Sequence, residues 1–180
     1  MIDQAPNQSP LWMVVLVAAA ILFSFALACG MPFAALGALA ALTLPARDAL
    51  VLAVLGWLAN QAIGFGFLGY PLDAMTLTWG VALGFSALAA VVGALFVLRQ
   101  MPRGTLPSQL GLAFVAAWAA QQGTVFLASL VLGGTAGAFA ASVLWFIFWT
   151  NALAFMVLLC LQSAGAKVGV ARPMQQRASA

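Results

Sequence analysis

The chain has 180 residues, of which 66% are hydrophobic and 5% charged, with a formal net charge of +3. A soluble domain carries about 25% charged residues, so this surface is not built to face water, and the length allows about five or six membrane spans with no soluble domain. The excess of six basic over three acidic residues is a topology signal in such a chain, and no nucleic-acid partner is expected from it.

Strands of an outer-membrane barrel would alternate apolar and polar residues. Here the apolar runs are continuous and rich in Ala, Leu and Gly, with a mean hydropathy of +1.13. The fold class is therefore an all-α integral membrane bundle of about six transmembrane helices with a short second helix, forming one domain over 1–180. The first helix is expected at 11–29. Its end, "ALAC", loosely resembles a lipoprotein cleavage site, but residues 1–10 carry Asp3 and neither Lys nor Arg, so the helix is read as retained. "GMP" (30–32) stops it. A second helix follows at 33–44, before "LPARD". At ~1.5 Å per residue it reaches roughly 18 Å against a core of about 30 Å, so it is tilted, buried among neighbours or half-spanning. The third runs 47–67 to "LGYP", the fourth 73–98 to the polar link "RQMPRGTLPS", the fifth 108–132 to "GGTAG", and the sixth 138–162, leaving a cytoplasmic tail at 163–180.

With six spans and the N-terminus inside, Arg47, Arg99, Arg103, Lys167, Arg172 and Arg177 all fall on one face, and the outer loops carry Asp73. The positive-inside rule then sets these basic segments and the C-terminus in the cytoplasm, in a bacterial-type inner membrane. Cys29 and Cys160 lie near opposite ends of their helices, too far apart for a bridge, and each is read as a small buried hydrophobe.

The absences are informative. The chain has no His and no Glu, and no charged residue falls in the middle of any expected span. A proton relay has no members, hard metals lack carboxylates and transition metals lack imidazole, and enzyme chemistry lacks a general base. No catalytic residue, metal or cofactor is expected, and the protein is not expected to be an enzyme.

The in-membrane polar residues remain. In "WLANQ", Trp57 precedes Asn60 by three and Gln61 by four, which stacks the three on one helix face. "WAAQQ" repeats this with Trp118, Gln121 and Gln122, within a longer match W-x-A-[NQ]-Q-[AG]-x-x-F. The sixth helix adds Trp149 and Asn151. Such amides glue helices together, at roughly 0.6–2 kcal/mol per bond. Five carboxamides beside indoles on three helices also fit one outward-opening pocket, lined by Trp57, Asn60, Gln61, Trp118, Gln121, Gln122, Trp149 and Asn151. An aromatic wall with convergent amides suits a neutral, flat or amide-bearing organic ligand. Ala20, Ser24 and Ala28 form a small-residue stripe on the first helix, matched by Ala82, Ser86, Ala90 and Ala94 on the fourth, either of which packs internally or against a partner.

Six helices in about this length, a short second helix, the Ala20, Ser24, Ala28 spacing and the lack of coupling charges together resemble an S component of an energy-coupling-factor vitamin transporter. The resemblance implies a subunit that binds a small organic ligand from outside, with a separate transmembrane scaffold meeting the first-helix stripe and ATPase subunits supplying energy. In that family the stripe is Ala-x-x-x-Ala; here Ser24 replaces one Ala. The competing reading is a non-enzymatic small membrane protein that assembles with or stabilises a larger complex, its amides acting as packing glue.

Overall fold

The computed structural model describes residues 10–27, 31–101, 104–134, 137 and 139–174. Among them six helices follow in chain order: α1 (Pro10–Ala26), α2 (Phe33–Thr43), α3 (Ala46–Gly66), α4 (Ala74–Gln100), α5 (Leu106–Leu132) and α6 (Ala141–Lys167). No strand occurs among the described residues. Helices α3 to α6 are each long and apolar enough to cross a membrane, and the protein is an all-α, multi-pass membrane bundle.

The ends of the helices define two ends of the bundle. A Cβ on Gly165, near the close of α6, would stand 2.7 Å from the Trp12 ring near the start of α1. At the opposite end, the rings of Phe25 and Phe67 meet edge to face at 5.6 Å, so α1 runs parallel to α3. Arg47, Arg99, Lys167 and Arg172 therefore gather at one end, here called the basic end, and Asp73 lies at the other.

Helix α2 is the centrepiece. All eleven of its residues are buried, and it packs against α3, α4, α5 and α6. The midpoint of α3 shows how far it reaches, because a Cβ on Gly56 would lie 3.1 Å from Leu36 and 3.2 Å from Met31. Helix α2 thus starts at mid-depth and ends at Thr43, three residues before α3 begins. Its eleven residues span roughly 16 Å, half the membrane. Of the alternatives open at the sequence level, the half-spanning, buried one is observed. A helix apolar on every side is one that other helices enclose.

Glycine permits the close packing. A Cβ on Gly37 would sit 3.1 Å from both Ala90 Cβ and the Val91 nitrogen, and one on Gly93 would sit 2.8 Å from Ala120 Cβ and 2.9 Å from the Ala116 carbonyl oxygen. In lipid, where apolar side chains gain little from leaving their surroundings, such backbone approach is a main source of helix association.

One open alternative narrows and two expectations change. The α1 stripe faces inward: Ala20 and Ser24 are fully buried with Trp12 and Leu16. Ala20 packs on Gly56 of α3, and the Ser24 hydroxyl donates to Met31 Sδ at 3.4 Å. The close approach expected of a partner scaffold is made by this chain's own α3, while Ala28 lies outside the described residues. The sixth helix continues to Lys167, beyond the expected stop at 162. Gly165 stays helical because the Trp12 ring needs its missing side chain, and the stop falls at Gly169, whose φ of +77° suits glycine. Cys160 is exposed on the outside of α6 rather than buried; Cys29 lies outside the described residues.

Candidate functional site

The sequence-level candidates divide by what their polar atoms already hold. On α3, the Trp57 indole donates to the Gly80 carbonyl of α4 at 2.7 Å. Gln61 lies against the same residue, since a Cβ on Gly80 would come within 2.6 Å of Gln61 Oε1. Both side chains join α3 to α4. Trp57 also lines a groove of about 150 Å³ between these helices, with Val54, Val81, Gly84, Phe85 and Leu88. That groove includes neither Gln121 nor Asn151. Asn60 is buried one turn beyond Gly56, on the face that meets Met31 and α2.

On α6, Asn151 is committed at both ends of its amide. Its Nδ2 donates to Ile147 at 3.0 Å and its Oδ1 accepts from the Ala35 backbone nitrogen at 3.3 Å. The first turn of a helix leaves four N–H groups without intrahelical partners, and Pro32 at the N-cap of α2 offers no side-chain acceptor. Asn151 therefore caps α2 from another helix. Trp149 is 53% exposed and stacks edge to face with Trp145 and Phe148, which puts it on the outer surface of the bundle.

Helix α5 behaves differently. Its Ala116 and Ala120 edge lies against Gly93 of α4. Its Phe114 and Trp118 edge lies against Phe148 and Phe155 of α6, with ring centroids 5.2 to 5.6 Å apart. At roughly 100° per residue, Gln121 falls between these edges, toward the bundle axis, and Gln122 falls beside Trp118. Both glutamines are more than nine-tenths buried. Yet Trp118 Nε1, Gln121 Oε1 and Gln122 Nε2 are buried atoms without a hydrogen-bond partner.

These groups share one depth. Asn60 follows Ala46 by 14 residues, Gln121 follows Leu106 by 15, and Asn151 precedes Lys167 by 16. Each lies roughly 21–24 Å from the basic end of its helix. The Asn151 contact brings the first turn of α2 to that level. The structure so sets Asn60, Gln121 and Asn151 at the level of the inner end of α2, with Trp118 and Gln122 at the α5 edge. It directs Trp57, Gln61 and Trp149 elsewhere. The first turn of α2 belongs to the site through its backbone, which no side-chain pattern announces. Another buried pair, Trp12 Nε1 and Gln162 Oε1, is also unpartnered, near Gly165 at the basic end; the Gln162 Nε2 donates to the Arg172 carbonyl at 2.7 Å.

No family model, no curated protein and no solved structure matches the chain. The class that fold and composition define is a multi-pass helical membrane protein, and the functional reading rests on its residues.

Proposed function

We propose that the chain is a membrane substrate-binding and transport subunit for a neutral organic micronutrient, energised by a separate ATPase partner. It would lie in a bacterial-type inner membrane with its basic end and C-terminus cytoplasmic. The observation that carries this reading is the trio of unpaired buried groups on α5, Trp118 Nε1, Gln121 Oε1 and Gln122 Nε2, at mid-depth in a bundle without in-span charges. A buried polar atom without a partner costs about 1–3 kcal/mol, which a ligand supplying the missing bonds would recover. No charged residue stands mid-span to form a proton relay, which fits a subunit whose energy comes from a partner. With Ala20 and Ser24 packed on α3, the scaffold would dock on a different surface.

The competing role, a structural subunit of a larger complex, draws on Trp57 and Asn151, whose bonds join helices within the chain. Mass spectrometry of small molecules that stay with the purified protein separates the two. A stoichiometric organic compound, lost in Gln121→Leu, supports substrate binding; stable protein with no bound compound after incubation in cell extract overturns it. Cysteines placed beside Asp73 and Arg172 should label from opposite sides of the membrane, and labelling from one side overturns the orientation.

A further inference from the structure

The unpaired atoms on α5 are chemically unequal, and their kinds restrict what completes them. An indole N–H only donates, a carboxamide oxygen only accepts and a carboxamide nitrogen only donates. The trio therefore offers two donors, Trp118 Nε1 and Gln122 Nε2, and one acceptor, Gln121 Oε1. Trp118 stands three and four residues before the glutamines, so all three share one turn of one helix face.

Resting on the substrate-binding reading above, we infer that the α5 trio binds the CO–NH edge of a neutral cyclic amide, urea or imide. The ligand carbonyl accepts from Trp118 Nε1 and Gln122 Nε2, and the adjacent ligand N–H donates to Gln121 Oε1. Other groups match less well. A carboxylate satisfies the two donors and leaves Gln121 Oε1 facing a second acceptor. An ammonium pairs with Gln121 Oε1 and leaves both donors buried without partners. Either ion would also lose its hydration at a depth where the surrounding helices carry no opposite charge. A ketone or ester fills the donors alone. Phe148, edge to face with Trp118 at 5.4 Å, continues the aromatic surface on which a flat ring can lie.

The test uses the full-length protein in detergent micelles or nanodiscs, with 15N-labelled indoles, the Trp118 signal being assigned through Trp118→Phe. The probes are imidazolidin-2-one, succinimide and uracil, each paired with its fully N-methylated form. The expected result is a saturable downfield shift of the Trp118 N–H signal with at least one parent compound. N-methylation should weaken that binding by about tenfold or more, and so should Gln121→Leu, because each leaves one buried group unpaired. Equal responses to parent and methylated probes overturn the inference, as does a Trp118 signal that none of them moves, the behaviour of a site held by a bound water. The two proposals fail separately. A co-purifying compound without a CO–NH edge defeats this inference and leaves a substrate-binding subunit, whereas no bound compound of any kind defeats both.

Discussion

The two halves of the bundle are built on opposite principles. In the basic half, α2 occupies the centre, and its alanines and leucines meet glycines on themselves and their neighbours, so backbones approach until no space is left. The half toward Asp73 lies beyond the start of α2, and at the boundary the walls carry the carboxamides of Asn60, Gln121, Gln122 and Asn151 and the Trp118 indole. Each wall crosses both halves, α5 included: its Ala113 and Ala117 are fully buried, and one turn further Gln121 Oε1 has no partner. The difference teaches that on α5 polarity is graded along the helix rather than across its faces. That arrangement fits the proposed binding role, a dry packed layer beneath a polar one.

Breaking the packed half should have the largest effect. Gly93→Leu forces a side chain against Ala120 Cβ and the Ala116 carbonyl oxygen, the latter unable to yield without moving α5. Overpacking of this kind costs about 1–3 kcal/mol or more. The folded yield and the thermal midpoint in detergent should both drop sharply, and a Gly93→Leu protein as stable as the parent would show that α4 and α5 do not meet there. Asn151→Leu comes next. It removes the acceptor for Ala35 N and leaves that N–H buried, at about 1–3 kcal/mol, measured by unfolding in mixed micelles. Trp57→Phe loses the bond to Gly80, roughly 0.6–2 kcal/mol, with some ring packing on Gly84, and should leave any bound compound in place.

The sharpest contrast is with Gln121→Leu. Removing a buried acceptor that has no partner should leave the ligand-free protein as stable as before, or more so, since an apolar replacement of like size drops a desolvation penalty. A stability loss equal to that of Asn151→Leu would mean that Gln121 is also structural glue, and the contrast between the halves would fail. The smallest effect belongs to Asp73, the exposed N-cap of α4. Its carboxylate accepts from the Thr76 backbone nitrogen at 2.8 Å, and the backbone bond from Thr76 is the main cause of a pKa below the usual carboxylate value. A lowered folded-state pKa means stability present above the unfolded-state pKa and lost as pH falls through the folded one. Acid should slightly lower the midpoint of the parent and not that of Asp73→Asn.

Much of the fold was legible because composition alone requires helices, and Gly, Pro and charge clusters mark their ends to within a few residues. The exceptions share one cause. Gly165 reads as a breaker in isolation and is kept helical by Trp12, more than a hundred and fifty residues away in sequence. Ala20 and Ser24 read equally well as an inner or an outer stripe, since a small residue permits close approach without naming the helix that approaches. The repeat of Trp with two amides on α3 and α5 is visible in sequence, but its copies end differently: the Trp57 indole donates to Gly80 of α4, while Trp118 Nε1 and Gln122 Nε2 find no partner. Rotation of a helix about its own axis is set by tertiary packing, and an all-round apolar helix carries no moment to announce it.

The half-length of α2 has a consequence for leakage. Its eleven residues fill the basic half with alkyl groups, the most open of them being Thr43 at 8% exposure. A solute or ion that reaches the level of Gln121 from the Asp73 side meets roughly 16 Å of close-packed hydrocarbon in place of a continuing path. Such a layer offers water no polar lining to follow. If the proposed ligand is to pass, the bundle must shift or its helices must part, so the seal belongs to the resting protein.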